Sequence, residues 1–164
     1  MAGLTAALES ARTGYDVLLV ERSDALGGQA RLWSTRMPHT PPYRDPQPND
    51  TDDLIAAVRA EPRITVRTDC TVAKTSGAPG KFEVELQQGG AVTAETVGAV
   101  VLATGWRPYD ANKLGHLGYG ASPDIVTSVE IEAMLKEGAL KRKSDGRPAR
   151  TVAFVQCAGS RDAK

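Results

Sequence analysis

The 164-residue sequence predicts an α/β fold, in which a parallel sheet with helices carries an inserted antiparallel meander of three strands. Two continuous apolar runs, Val17–Val20 and residues 100–102, are typical of strands that are covered on both faces. Between them, apolar residues alternate with polar ones from Ile64 and again over residues 82–86. The pair Gly89-Gly90 then turns the chain into the third strand of the predicted meander.

Three segments have the features of helices. Apolar residues recur at helical spacing over residues 3–12, and residues 50–60 begin with a plausible N-cap, Asp50. Thr127 and Glu130 have capping-box spacing in front of the third helix. By contrast, the prolines of residues 36–50 exclude regular structure and predict an extended surface loop. The apolar face of the first helix is expected to consist of Leu4, Ala7, Leu8 and Ala11.

Composition excludes several function classes. The chain has 20 basic and 20 acidic residues, so it lacks the positive field that a nucleic-acid partner requires. No apolar run approaches the roughly 18 residues of a membrane span, and the N-terminus does not resemble a signal peptide. We therefore predict a cytoplasmic protein with no nucleic-acid partner and no direct membrane insertion.

The cysteines do not indicate a metal site. Cys70 and Cys157 do not form a Cys-x-x-Cys pair, and neither His39 nor His116 has a second ligand at metal spacing. Cys70 is expected to be a small buried side chain, and Cys157 a small residue at a turn that follows a strand over residues 152–155. We predict no metal ligand and no catalytic residue in this segment.

Three short motifs suggest dinucleotide binding. Gly3 suits the place where a helix packs closely on its strand, and Glu21, 18 positions later, can accept hydrogen bonds from a ribose. The pair Gly27-Gly28 allows backbone N–H groups to approach a diphosphate. Finally, the apolar run of residues 100–102 ends at Gly105, where open α/β sheets bind ligands.

These residues, with Ala103 and Thr104, resemble the FAD-binding pattern of the pyridine nucleotide-disulfide oxidoreductase superfamily. Residues 118–120, 124–128, 130 and 152–162 are similar to the A subunit of heterodisulfide reductase and its relatives, which include the quinone-interacting oxidoreductase of sulfate reducers. Several such proteins carry cysteines in the loop after the glycine pair. Residues 37–50 contain none, so the chain departs there from the pattern of a cluster ligand.

The resemblance implies a Rossmann-like FAD-binding sheet and a set of cofactor contacts. Glu21 would meet the adenosine ribose, with Arg22 beside the adenine and the backbone of Val72 at the adenine edge. The residues near the diphosphate would be Gly3, Gly27, Gly28, Thr104 and Gly105. Residues 1–140 would be a partial FAD-binding domain, 141–150 a connector and 151–164 the start of a second nucleotide-binding unit.

The implied function is electron transfer through FAD in a heterodisulfide-reductase-like complex, with other redox subunits as partners. Iron–sulfur clusters would lie in those partners or in parts of the protein outside this segment. One alternative is an NAD(P)H-dependent flavoenzyme of the dienoyl-CoA-reductase type, to which Gly27-Gly28-Gln29 is also similar. Another is a non-catalytic nucleotide-binding or interaction module.

The fingerprint Gly-x-Gly-x-x-Gly is incomplete in this chain. Its first two glycines and its strand would precede Met1, so we expect an internal fragment that lacks the first strand of the sheet. The strand Val17–Val20 would then lack its central neighbour and would expose unpaired backbone N–H and C=O groups. We therefore expect the isolated segment to be marginally stable and to bind FAD weakly.

Overall fold

A computed structural model describes residues 1–159, which divide into two compact units. The first unit contains residues 1–31 and 50–105, and the second contains residues 32–49 and the chain from residue 106 onward. In chain order the elements are α1 (Ala2–Arg12), β1 (Val17–Val20), β2 (Thr35–Arg36), β3 (Gln47–Pro48), α2 (Thr51–Ala60), β4 (Ile64–Arg67), β5 (Cys70–Ala78), β6 (Lys81–Gln88), β7 (Ala91–Val97) and α3 (Ser128–Lys136), with 3₁₀ turns at Gly28–Leu32 and Ala111–Leu117. This mixture of helices with parallel and antiparallel strands confirms the predicted α/β class.

The first unit is organised around a parallel pair of strands, β1 and β4, in which Val17 lies opposite Ile64 and Val20 opposite Arg67. The helix α1 covers this pair with the apolar face that the sequence predicts. One core cluster joins α1, α2 and the loop after β1 through four buried side chains, Leu4, Leu8, Leu26 and Val58. Val58 is completely buried, so α2 is fixed against α1 by its inward face.

The two faces of β1 contact different cores. Leu19 packs against the helical cluster, whereas Leu18 and Val20 pack against a second cluster that contains Cys70 and Leu86. Successive side chains of a strand point to opposite faces, so one short strand contributes to both cores. The prediction that this apolar run is covered on both sides is confirmed, although its residues are only half-buried.

The meander is an antiparallel sheet in the order β5-β6-β7. Its second turn is Gly89-Gly90, where φ is +55° and +85°, as a tight hairpin turn requires. The prediction that Ile64 and Val66 begin the meander is wrong, because they belong to β4 and pair in parallel with β1. Alternation of apolar and polar residues is the same in both kinds of strand and cannot distinguish them.

Two further strand predictions are not met among the described residues. Residues 100–102 and 152–155 have no strand pairing, and Leu102 and Phe154 are 84% and 71% exposed. An apolar run becomes a strand only when a neighbouring strand shares its backbone hydrogen bonds, and no described strand pairs with either run. The end of the tail motif, residues 160–162, lies outside the described residues.

The second unit contains a short antiparallel pair, β2 and β3, in which Thr35 lies opposite Pro48. The prediction that residues 36–50 lack regular structure is therefore wrong at both ends of that loop. Pro48 is tolerated because the pair is only two residues long and leaves an edge free of hydrogen bonds. No helix among the described residues is long and apolar enough to cross a membrane.

The helix α3 begins with the predicted capping box. Thr127 Oγ1 accepts from the Glu130 backbone N–H at 3.2 Å, and Glu130 Oε2 accepts from the Thr127 N–H at 2.7 Å. The loop of residues 141–150 is anchored to this helix, since Lys143 Nζ donates to Glu130 Oε1. A second anchor joins Ser144 to Asp124 through both Ser144 N–H and Oγ. The predicted connector is thus a folded turn with specific contacts.

Leu86 provides a test of the second core. It is 1% exposed and packs with Cys70, so replacement with alanine leaves a cavity. We expect Leu86→Ala to lower the free energy of unfolding by about 2–5 kcal/mol in urea titrations followed by circular dichroism. The control Val92→Ala, on the neighbouring strand and 60% exposed, should cost less than about 1 kcal/mol. Equal costs would contradict the assignment of Leu86 to a core.

The capping box of α3 has a predicted pH signature. The hydrogen bond from Lys143, followed by the Thr127 N–H, lowers the pKa of Glu130 from 4.5 to about 2. Because the pKa in the folded state lies below that in the unfolded state, the stabilisation is complete above about pH 4.5 and is lost as the pH falls toward 2. A carbon-13 NMR titration of the carboxyl should have its midpoint near 2. In Lys143→Met the midpoint should rise, and an unchanged midpoint would rule out Lys143 as the main cause.

Candidate functional site

The candidate site begins at Glu21, the residue that follows β1. Its backbone N–H donates to the carbonyl of Arg67 at 2.9 Å, and its carbonyl accepts from the Cys70 N–H at 3.0 Å. Two residues later, the backbone carbonyl of Ser23 accepts a hydrogen bond from the Asp69 N–H at 2.9 Å. The backbone of Glu21 is thereby held between the end of the parallel pair and the start of the meander.

The side chain of Glu21 is positioned by its own turn. Its Oε1 accepts from the Ser23 backbone N–H at 2.8 Å, while Oε2 accepts no hydrogen bond from the described residues. The side chain is half-buried, whereas Arg22 beside it is exposed. The free carboxylate oxygen can accept hydrogen bonds from hydroxyl groups of a ligand. Sequence reasoning missed the role of Ser23, although Glu-x-Ser after a strand is a spacing that permits such a turn.

The paired glycines occupy different environments. At Gly27, where φ is +102°, an added Cβ would lie 2.6 Å from Cγ of Arg31 and 3.0 Å from Cδ1 of Ile55. At Gly28, where φ is +51°, an added Cβ would meet nothing within 4 Å. Gly27 is therefore required by packing within the protein. Gly28 instead exposes its backbone to open space, which a ligand can occupy.

The third motif meets the start of α1. An added Cβ on Gly3 would lie 3.2 Å from Cβ of Ala103, so the helix approaches residues 103–105 closely there. Thr104 is exposed, and Gly105, with φ of +66°, faces open space. The structure thus brings Gly3 together with the segment that contains Thr104 and Gly105, although this segment is not a paired strand.

The N-termini of α1 and α2 lie beside the glycine loop. Thr51 Oγ1 donates to Sδ of Met1 at 3.2 Å, which joins the first turns of the two helices. Leu26, next to Gly27, shares the core cluster with Leu4, next to Gly3. Arg31 Nε lies 3.8 Å from Oδ1 of Asp52 in the first turn of α2. Sequence reasoning missed these neighbours because α2 is distant along the chain.

Val72 lies on β5, an edge strand of the meander. It is opposite Leu86, and the register shifts immediately after it, between Val72 and Lys74. Its side chain is 51% exposed. Val72 lies two residues after Cys70 in the chain, and the Cys70 N–H donates to the carbonyl of Glu21. The predicted adenine contact is therefore close to the predicted ribose contact.

The described residues contain no group of three or more histidine, cysteine or acidic side chains arranged to hold a metal ion. Cys70 is 1% exposed within the second core, which confirms the prediction of a small buried side chain. Cys157 is exposed, with φ of +57°, in the turn after residues 152–155.

Gly27 and Gly28 form a matched pair for testing this geometry. In Gly27→Ala the new methyl overlaps the Arg31 side chain and the backbone is strained, so we expect a loss of about 2–4 kcal/mol in the free energy of unfolding. In Gly28→Ala only the left-handed backbone is strained, at a cost of about 1 kcal/mol. Thermal or urea unfolding measures both. A larger loss for Gly28→Ala would contradict the assignment of the packed position to Gly27.

Comparison with a solved structure supports the fold alone. L-proline dehydrogenase from P. horikoshii is similar over 63% of this chain and 20% of its own, with a TM-score of 0.52 and 22% sequence identity. Its likeness concerns the arrangement of helices and strands.

Several curated proteins are similar to this chain in sequence. The A subunit of ferredoxin:CoB-CoM heterodisulfide reductase from Methanosarcina mazei is 25% identical over 249 aligned positions, covering 99% of this chain and 30% of its own. An iron-sulfur A subunit of CoB--CoM heterodisulfide reductase from Methanopyrus kandleri is 39% identical over 70 residues, covering 40% of this chain and 10% of its own. The chain therefore spans less than a third of the length of these relatives. The first alignment is longer than the chain, so that relative contains additional residues within the matched region.

The model of the pyridine nucleotide-disulphide oxidoreductase family matches residues 1–140. This range includes α1, the carboxylate after β1, the glycine loop, the meander and the segment that approaches Gly3. The resemblance that the motifs suggest is thereby confirmed, and the chain belongs to the pyridine nucleotide-disulphide oxidoreductase family.

Proposed function

We propose that this chain forms the part of an FAD-dependent oxidoreductase that binds the adenosine and diphosphate of the cofactor. The observation that carries the proposal is the position of Glu21. Its backbone is fixed by bonds to Arg67 and Cys70, and one carboxylate oxygen remains available for a ribose. An acidic residue at the end of the strand that follows the glycine helix is the ribose ligand of dinucleotide folds.

The geometry of the glycines fits a diphosphate. Gly28 and Gly105 face open space with their backbones exposed, and the N-terminus of α1 lies beside the segment that contains Gly105. Backbone N–H groups at a helix N-terminus carry partial positive charge, which stabilises a bound anion. Gly3 and Gly27 serve this arrangement indirectly, since an added Cβ would crowd Ala103 at Gly3 and overlap the Arg31 side chain at Gly27.

Two further contacts complete the proposed adenosine site. Val72 would offer backbone groups from an edge strand, and Arg22 would lie against the adenine because it is exposed next to Glu21. Thr104 would close the diphosphate pocket beside Gly105. When bound, FAD would supply the redox chemistry, and the protein residues would bind and orient it.

At the level of the whole protein, we propose an electron-transfer component of a heterodisulfide-reductase-like complex. The support is the similarity to the A subunits of such enzymes over nearly the entire chain. Electrons would pass between the flavin and iron–sulfur clusters held by partner proteins or by parts of the protein outside this segment. The two cysteines support this division, because one is buried in a core and they are not spaced as cluster ligands.

Glu21→Ala tests the proposed ribose contact. A charged acceptor of ligand hydrogen bonds contributes about 1.5–3 kcal/mol, so we expect the Kd for FAD to rise by about 10–100-fold. The measurement is fluorescence titration of FAD into the full-length protein. The matched control is Glu9→Ala, which removes an exposed carboxylate that pairs with Arg12 on α1 and should leave the Kd unchanged.

Glu21→Gln separates a loss of FAD binding from a loss of folding stability. The amide oxygen preserves the acceptor for the Ser23 N–H, so this variant should retain the wild-type melting temperature while FAD affinity falls. If both Glu21 variants bind FAD as tightly as the wild-type protein, Glu21 is not the ribose ligand and the proposed site is wrong.

A further inference from the structure

The side chain of Arg31 lies across the glycine loop. Its Cγ and Cδ would lie 2.6 and 2.8 Å from a Cβ on Gly27, so the arginine stem fills the space that the missing side chain leaves. This packing holds the methylene stem of Arg31 next to the paired glycines, with the guanidinium group beyond it. Arg31 therefore has a defined position at the loop that we propose to contact the diphosphate.

One partner of this guanidinium is weakly held. Arg31 Nε lies 3.8 Å from Oδ1 of Asp52, and the two side chains are 47% and 88% exposed. Exposed ion pairs of this kind contribute little to stability, so the arginine can exchange its carboxylate partner at small cost. A guanidinium presents a planar fork of donors that matches phosphate oxygens well.

The location also favours a bound anion. The first turns of α1 and α2 meet through the hydrogen bond from Thr51 to Met1. The loop is fixed beside them by Leu26, which is 2% exposed. A diphosphate placed there would gain the partial positive charge of a helix N-terminus as well as Arg31. The Asp52 carboxylate would repel it at the same point.

We propose that Arg31 exchanges its ion pair with Asp52 for the diphosphate of FAD. Arg31 is then a cofactor-binding residue, and Asp52 competes with the diphosphate for it. This inference rests on the proposed function, and it adds a charged side-chain ligand to a diphosphate site otherwise built from glycine backbones and Thr104. It further predicts that Asp52 lowers the affinity of the protein for the cofactor.

The test compares ligands with and without a diphosphate. FAD, ADP and adenosine are titrated into the full-length protein and into Arg31→Met, which retains an apolar stem over Gly27 but removes the charge. We expect the Kd of FAD and ADP to rise by about 10–100-fold, with adenosine unaffected. Asp52→Asn should lower the Kd of FAD and ADP by about 2–5-fold.

The matched control is Arg63→Met, which removes an arginine from another exposed pair, 2.9 Å from Asp16, and should change no Kd. Arg31→Lys retains the charge and should recover part of the ADP affinity. An equal loss for adenosine and ADP in Arg31→Met would indicate a distorted loop and would overturn the inference.

The two proposals can fail separately. If Glu21→Ala weakens FAD binding while Arg31→Met leaves it unchanged, the FAD site stands and the role of Arg31 is wrong. If FAD does not bind to the wild-type protein, the proposed function itself fails. Tighter ADP binding by Arg31→Met would show that the guanidinium opposes the diphosphate, which also overturns the inference.

Discussion

The first unit depends on the backbone hydrogen bonds of a single residue, Glu21. Its N–H extends the parallel pairing of β1 with β4 by donating to the carbonyl of Arg67, and its own carbonyl accepts from the N–H of Cys70, the first residue of the meander. Asp69, with φ of +50°, lies in the turn between β4 and β5. Because the backbone of Glu21 is bonded on both sides and Oε1 accepts from the Ser23 N–H, the carboxylate is held in place. A ligand that uses it need not order the chain first.

Packing places the remaining parts of the site around this junction. Alternate side chains of β1 pack in the helical core and in the core of the meander, so that neither core can shift without moving the strand that precedes Glu21. Leu26 joins the glycine loop to the same helical core. The loop and the helix N-termini are therefore positioned by apolar contacts, while the groups available to a ligand are backbone atoms and a few polar side chains.

Sequence patterns predicted the local features well. The apolar face of α1, the capping box of Thr127 and the turn at Gly89-Gly90 each depend on residues close together in the chain. The failures depend on distant neighbours. Ile64 alternates as a meander strand would, yet its partner is β1, and residues 100–102 have strand composition but no neighbour among the described strands. For the same reason, Arg31 and Asp52 could not be associated before the fold was known.

FAD binding is tested most simply by the visible absorption spectrum of the purified full-length protein, with its FAD content determined after denaturation. We expect a yellow protein that contains stoichiometric FAD and releases the intact dinucleotide. A cooperatively folded protein that is colourless and acquires no flavin when incubated with FAD would contradict it. In that case the carboxylate and glycines would serve another ligand or only the fold.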